Sequence, residues 1–127
     1  MDSNTALAHF ESRLEWEIDA ADLHANPDAY IVIDARTPEV FAMGHVPGAI
    51  NLPHRTITAE TADFPKDAVL VTYCDGIGCN ASTKAAVKLS RLGYRVKEMI
   101  GGLDWWRRDG LPVHNGEVAT HAVACGC

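Results

Sequence analysis

The sequence predicts an α/β fold built on a parallel sheet, and two observations support this. Residues 30–34 and 68–73 are short apolar runs rich in β-branched side chains and lack polar alternation. Such runs are typical of strands that are buried on both faces. Helical patterns separate the predicted strands along the chain, and this alternation is typical of right-handed βαβ units with parallel strands.

The overall composition predicts one globular domain. The chain has 127 residues, of which 47% are hydrophobic and 22% charged, with a net charge of −6. This charge gives no electrostatic footprint for nucleic acid or an anionic membrane. The polar, acidic start is unlike a secretion signal, and no apolar run approaches the ~18 residues that cross a bilayer. We expect a single domain over residues 1–127, with its core at about 14–113, in the cytoplasm.

The first predicted element is an amphipathic helix over residues 5–14, with Asn4 or Thr5 as its cap. Its apolar positions share one face that we expect to pack on the edge of the domain: Leu7, Phe10 and Leu14. The next elements are short and are bounded by capping residues, Pro or Gly. They are a strand at 16–18, a helix at 20–25, a helix at 39–43 with Pro38 at its first position, strands at 30–34 and 49–52, and a weak helix at 56–63.

The second half of the chain has stronger signals. The most apolar strand is predicted at 68–73, and the best-marked helix at 80–92, with Gly93 as its C-cap. A strand at 95–100, a Gly-Gly turn at 101–102 and a helical turn at 103–108 follow. Residues 114–127 show no periodic pattern, and we expect a mobile tail.

Cys74 lies between the most apolar strand and the best-marked helix, in a loop that contains glycines. Amides of such a loop, together with the helix N-terminus, stabilise a thiolate or another anion. We therefore predict Cys74 as the catalytic nucleophile. The loop residues predicted to hold an anion through their amides are Asp75, Gly76, Ile77, Gly78, Cys79 and Asn80.

Three ordered motifs resemble those of rhodanese-like domains. Residues 34–39 and 44–53 resemble the first signature of that family, residues 101–106 with 110–112 resemble the second, and Cys74 lies at the position of the nucleophile. The resemblance extends from about Trp16 to Val113 and implies a five-stranded parallel sheet flanked by helices on both faces. It also implies a sulfurtransferase of the thiosulfate sulfurtransferase (rhodanese) type. In that chemistry Cys74 takes sulfane sulfur from thiosulfate or a persulfide donor, carries it as a persulfide and passes it to cyanide or a thiol, without a cofactor or metal.

The length of the loop favours sulfur transfer over phosphoryl transfer. Cys74 to Cys79 spans six residues, as in the sulfur-transferring members of the family. Phosphatases and arsenate reductases of related fold have a loop one residue longer, with an arginine at the position of Asn80. Asn80 offers no guanidinium to bind a tetrahedral oxyanion.

The identity of the sulfur donor stays open. Asp75 is acidic and no Lys or Arg lies within residues 74–80, so a thiosulfate dianion would be repelled. A low-molecular-weight persulfide or a persulfidated protein is an equally good candidate. Arg36 and Arg55 are possible substrate-binding cations, although a salt bridge from Arg36 to Asp34 or Glu39 is the favoured alternative.

The remaining cysteines leave alternatives open. Cys79 is either a resolving thiol, which attacks an oxidised or persulfidated Cys74, or a small residue without a chemical role. The first option also predicts an alternative function: a non-catalytic binding or redox-sensing module with a Cys74/Cys79 dithiol–disulfide switch. Cys125, Cys127 and His121 fit no zinc spacing. They form an unstructured tail, a thiol site that accepts sulfur, or a site for metal delivery.

The sequence also predicts structural roles for one histidine and two tryptophans. His45 is expected to hold the turn at 44–48 by hydrogen bonds. Trp105 and Trp106 are neighbours, so their side chains diverge: one is expected to fill the core, while the other forms a wall of the active site.

Overall fold

The computed structural model describes residues 2–116, in which five strands form one sheet in the order β1-β5-β4-β2-β3. All neighbouring strands pair in parallel. The strands are β1 (Glu17–Ile18), β2 (Ile31–Asp34), β3 (Ile50–Asn51), β4 (Val69–Tyr73) and β5 (Arg95–Met99). The predicted five-stranded parallel sheet is therefore confirmed.

Within the described part of the chain, five α-helices connect or flank these strands. They are α1 (Ser3–Trp16), α2 (Ala20–Ala25), α3 (Pro38–Met43), α4 (Ala81–Arg91) and α5 (Gly102–Arg108), with 3-10 turns at Pro27–Ala29 and His54–Thr56. Asp19 caps α2 by accepting the amide of Asp22, and Pro38 opens α3. Within residues 2–116, no helix is long and apolar enough to cross a bilayer.

The sheet is covered on both faces because successive strand residues point to opposite sides. On one face Val32 and Val71 belong to a cluster with residues of α2, α3 and α5: Leu23, Phe41, Leu103 and Trp106. On the other face Ile33 and Leu70 pack with Ala85 and Leu89 of α4. Helices therefore lie on both faces, as predicted.

The topology places a cleft at the carboxyl ends of β2 and β4. The chain leaves β2 outward to β3 through α3, and it leaves β4 in the other direction to β5 through α4. Two adjacent strands whose connections diverge form a topological switch point, where α/β proteins bind ligands. Asp34 ends β2 at this point, and Cys74 directly follows β4.

Two predictions about the first half of the chain are wrong. Residues 56–63 do not form a helix: the 3-10 turn ends at Thr56, and in the turn that follows the hydroxyls of Thr58 and Thr61 each accept the other residue's amide. Helix α1 is longer than predicted, is capped by Asp2 and has no buried residue. Leu14 on its apolar face is 82% exposed, so this face does not pack on the domain.

The chain stays paired beyond the predicted limit of the core. His114 forms an antiparallel bridge with His45, and the amide of Gly116 donates to the carbonyl of Ala42 over 2.7 Å. Residues 114–116 therefore belong to the folded part of the chain, and residues 117–127 lie outside the described residues. The sites proposed for His121, Cys125 and Cys127 lie outside the described residues.

Candidate active site

Cys74 and Cys79 are joined by a disulfide in the loop that follows β4. Cys74 is 2% exposed, and the Cα atoms of the two cysteines are 6.3 Å apart. A tight turn brings them together: the Cys79 amide donates to the carbonyl of Gly76, and Gly78 adopts a φ of +96°. Glycine tolerates this left-handed backbone without steric cost. The sequence-predicted resolving thiol is thus within bonding reach of the predicted nucleophile.

The loop amides are only partly available to bind an anion. The Cys79 amide is used inside the turn. Among the described acceptors, none takes a hydrogen bond from the amides of Gly76, Ile77 or Gly78. Ile77 itself is 92% exposed, so this part of the loop is open to solvent. Of the six loop residues predicted to hold an anion, only Cys79 uses its amide in a described hydrogen bond; the amides of Asp75 and Asn80 are unengaged like those of the three residues between Asp75 and Cys79.

The first turn of α5 holds the other side of the loop. The Leu103 amide donates to the Cys74 carbonyl over 2.9 Å, and the Asp104 amide donates to the Asp75 carbonyl over 2.7 Å. Gly102 has a φ of +58°, and a Cβ there would lie 2.5 Å from the Cys74 carbonyl oxygen. The second glycine of the Gly-Gly pair thus allows the helix to approach the cysteine loop.

Arg36 joins the end of β2 to the same loop. Its Nε and Nη2 atoms donate to the Asp34 carboxylate, and its Nη1 donates to Asp75 Oδ1 over 2.9 Å. Nη2 also donates to the Gly44 carbonyl over 2.6 Å. Burial alone lowers the pKa of Arg36, but the hydrogen bonds and charge of Asp34 outweigh it and raise the pKa above its ordinary value. Every guanidinium nitrogen thus donates to a protein group. This agrees with the salt bridge from Arg36 to Asp34 that the sequence favoured over substrate binding.

Tyr73 completes this buried charge cluster. Its hydroxyl donates to Asp34 Oδ2 over 2.5 Å and accepts the Val46 amide over 3.0 Å. Burial, followed by the charge of Asp34 and its hydrogen bond, raises the pKa of Tyr73. Asp34 thus has two strong partners and no exposed surface. The cluster ties β2, β4 and the segment after α3 together beneath the loop.

A cavity of about 170 Å³ opens beside the two cysteines. It is lined by the cysteine loop, the turn between β5 and α5, Ser82 and Glu98. Ser82 Oγ and Thr83 Oγ1, from the first turn of α4, donate to Glu98 Oε2 over 2.5 and 2.7 Å. Sequence reasoning missed Glu98. The signal that could have identified Glu98 is an acidic residue within β5 that pairs in register with Thr72, two positions before Cys74.

The other predicted residues take up varied positions. Asn80 occupies the N-cap position of α4 without a side-chain capping bond, and Arg55 lies exposed in the 3-10 turn at 54–56. Arg55 lines neither the cavity beside Cys74 nor a second one, of about 260 Å³, beside Arg36 and Asp75. The prediction of Arg55 as a cation near the loop therefore has no geometric support.

The structure also places the predicted histidine and the two tryptophans. The His45 ring is hydrogen-bonded to the Phe41 carbonyl and stacks on the Phe41 ring. Trp106 fills the core and donates to the Pro112 carbonyl. Trp105 is half-exposed and lines neither of the two described cavities, so these cavities give no support to the expectation that it walls the site.

A parallel sheet with a cysteine loop between its central strand and the following helix defines a class of α/β proteins with a candidate site at the carboxyl edge of the sheet. Comparison with known proteins specifies the family. The sequence profile of the rhodanese-like domain matches residues 18–109. The chain therefore belongs to the rhodanese-like domain family.

Individual relatives support this assignment. The chain is 37% identical over 101 residues to a sulfurtransferase of Allochromatium vinosum, which covers 76% of this chain and 92% of that protein. It is 36% identical over 91 residues to the HTH-type transcriptional regulator Rv0324 of Mycobacterium tuberculosis; the match covers 71% of this chain but only 40% of the regulator's length. The crystal structure of the BH2092 protein from Bacillus halodurans is similar with a TM-score of 0.85 and 39% identity, over 90% of this chain and 87% of that one.

Proposed function

We propose that this protein is a sulfurtransferase that carries sulfane sulfur as a persulfide on Cys74. The observation that carries the proposal is the position of Cys74 at the carboxyl end of β4, beside three loop amides that donate to no described acceptor. Such amides stabilise both a thiolate and the terminal anion of a persulfide. Membership of a family that includes a sulfurtransferase 37% identical to this chain supports the same chemistry.

The reaction proceeds in two transfers. In the first, the Cys74 thiolate attacks the outer sulfur of thiosulfate or of a persulfide, and the S–S bond of the donor breaks with release of sulfite or a thiolate. In the second, cyanide or an acceptor thiolate attacks the outer sulfur of the Cys74 persulfide and restores the Cys74 thiolate. The first transfer needs Cys74 as a free thiolate, so the disulfide with Cys79 has to be opened by a thiol reductant beforehand. A cytoplasmic location, with its reducing conditions, is part of this proposal.

The charge of Asp75 is a weaker argument against thiosulfate than the sequence suggests. Its carboxylate is paired with the Arg36 guanidinium at 2.9 Å, so part of the charge is compensated. The Asp75 side chain is also 65% exposed, so solvent screens its remaining charge. The charge of Asp75 therefore does not exclude thiosulfate as a donor.

A second candidate function is a redox-sensing module. The observation that favours it is the disulfide between Cys74 and Cys79, which occupies the nucleophile. In this case the protein changes between dithiol and disulfide states and does not turn over a substrate. The similarity to part of a transcriptional regulator is in keeping with a sensing role.

Intact mass spectrometry tests the first proposal. Wild-type, Cys74→Ser and Cys79→Ser proteins are reduced, desalted and incubated with thiosulfate or a small persulfide. Wild-type and Cys79→Ser are expected to gain about 32 Da for one sulfur atom, while Cys74→Ser gains none. No sulfur gain by the reduced wild type with either donor would overturn the sulfurtransferase proposal.

The same samples separate the two candidates. Mild oxidation of the wild type is expected to remove about 2 Da as the disulfide forms, and Cys79→Ser should show no such loss. A wild type that forms the disulfide but never accepts sulfur would support the sensing module. A wild type that does both is a sulfurtransferase with a redox-controlled nucleophile.

A further inference from the structure

We propose that Glu98 selects the sulfur donor by charge, and that the preferred donor is a persulfide with an ammonium group near its sulfur, as in an aminothiol persulfide. This inference rests on the proposed transfer of sulfur to Cys74 and specifies its substrate class. It follows from the cavity that Glu98 shares with the two cysteines.

The Glu98 carboxylate is held in a fixed place. Ser82 Oγ and Thr83 Oγ1 both donate to Oε2, at 2.5 and 2.7 Å. These hydroxyls belong to the first turn of α4, where the helix dipole favours a negative charge. The second oxygen, Oε1, accepts no hydrogen bond from a described residue. Oε1 therefore keeps its full capacity to accept a hydrogen bond, and Glu98 lines the cavity.

The cavity offers an anionic ligand little compensation. Of the described residues that line it, none is Lys, Arg or His, and Glu98 is the only ionisable one besides the two cysteines. Arg36 lines the second cavity instead, where Asp34 and Asp75 already pair with it. A donor that brings a second negative charge toward Cys74 is repelled by Glu98, whereas an ammonium group is attracted to it.

The transfer itself needs no further reactant. The Cys74 thiolate attacks the outer sulfur of the donor R–S–SH, the S–S bond breaks, and R–S⁻ leaves with the electron pair and takes a proton from water. Cys74 then carries the outer sulfur as a persulfide. Glu98 takes no part in bond formation: it holds the ammonium group of R while the sulfur is transferred.

Two donors of equal length test the charge selection. They are 2-aminoethyl persulfide, which carries an ammonium group, and 2-carboxyethyl persulfide, which carries a carboxylate. We expect the reduced wild type to accept sulfur on Cys74 about tenfold faster from the ammonium donor, measured by intact mass over time. Glu98→Gln keeps an oxygen for Ser82 and Thr83 but removes the charge, so the ratio of the two rates should fall to the ratio that the two donors show with free cysteine, which reflects only their leaving thiols.

Glu60→Gln is the matched control. Glu60 is exposed in a turn and lines neither described cavity, so the variant has the same net charge as Glu98→Gln and should keep the wild-type ratio. A wild-type ratio below about two would overturn the proposal even if Glu98→Gln failed to fold. An unchanged ratio in folded Glu98→Gln would overturn it as well, while Cys74 loading itself would still support the sulfurtransferase. Failure of every donor to load Cys74 would overturn both proposals.

Discussion

Arg36 Nη1 lies 2.9 Å from Asp75 Oδ1, and this ion pair links the end of β2 to the residue that follows the predicted nucleophile. The two partners differ in their surroundings: the Arg36 side chain is 6% exposed and that of Asp75 is 65% exposed. Arg36 is also bound to Asp34, whose side chain has no exposed surface. The same guanidinium therefore compensates the charge of a buried carboxylate and positions an exposed loop.

Removal of the two partners should have unequal effects on stability. Arg36→Met leaves the buried carboxylate of Asp34 without its counter-ion, and we expect a loss of about 3–5 kcal/mol in the free energy of unfolding. Asp75→Asn removes only the exposed partner, and we expect a loss of about 1 kcal/mol or less. Urea denaturation of the reduced proteins measures both values.

A double variant provides the control for the buried pair. In Asp34→Asn/Arg36→Met both charges are absent. The loss in the free energy of unfolding should therefore be smaller than the sum of the losses measured for Asp34→Asn alone and for Arg36→Met alone. Equal costs for Arg36→Met and Asp75→Asn would show that the buried pair with Asp34 is not the main role of Arg36.

The sequence was sufficient to predict features that depend on neighbouring residues. The strand that ends at Tyr73, the loop of Cys74 and the helix that follows all come from one continuous stretch, and the structure has them in the predicted order. The short helices α2 and α3 are equally local features. A parallel sheet follows from the alternation of these elements.

Contacts between distant segments could not be predicted in the same way. The Tyr73–Asp34 hydrogen bond joins residues 39 positions apart, and Glu98 reaches Ser82 across 16 positions. Both depend on which strands are neighbours and in which register, and apolar patterns do not determine this. The apolar face of α1 misled the prediction for a related reason, because the periodicity of Leu7, Phe10 and Leu14 does not show whether a partner surface exists.

Gly102 is expected to be sensitive to substitution because of close backbone contact. In Gly102→Ala the added Cβ would lie 2.5 Å from the Cys74 carbonyl oxygen and 2.7 Å from the Gly76 nitrogen, at a φ of +58°. We expect a loss of about 2–4 kcal/mol in the free energy of unfolding, from strain and overpacking together. The displaced loop should also change the rate at which Cys74 reacts with iodoacetamide in a Cys79→Ser background.

Gly110→Ala separates the two causes. Gly110 also has a positive φ, of +74°, but a Cβ there would meet no atom within 4 Å. Its loss should be only about 1 kcal/mol, from backbone conformation alone, and the reactivity of Cys74 should not change. If the two alanine variants were equally stable, the contact between α5 and the cysteine loop would not be the reason for a glycine at position 102.

Tyr73 should make stability depend on pH in the alkaline range. Its pKa is raised first by burial and then by Asp34. Above about pH 10 the tyrosine of the unfolded chain releases its proton while the folded protein keeps it. The folded state then binds more protons, so this contribution to stability is complete below about pH 10 and is lost as the pH rises further, by up to about 1.4 kcal/mol per pH unit.

Tyr73→Phe tests this relation because it removes the titrating hydroxyl. At about pH 8 the variant should be less stable than the wild type by about 1–3 kcal/mol, since the buried amide of Val46 loses its partner. At about pH 11 the difference in the free energy of unfolding between wild type and variant should be smaller by about 1 kcal/mol or more. Only the wild type is destabilised there by the titration of Tyr73 in the unfolded chain. Urea denaturation at both pH values measures the change.

Tyr30→Phe, which removes a hydroxyl without a hydrogen bond to a described residue, controls for the loss of a tyrosine. A difference between wild type and Tyr73→Phe that stayed constant or grew with pH would show that Tyr73 does not hold its proton in the folded protein.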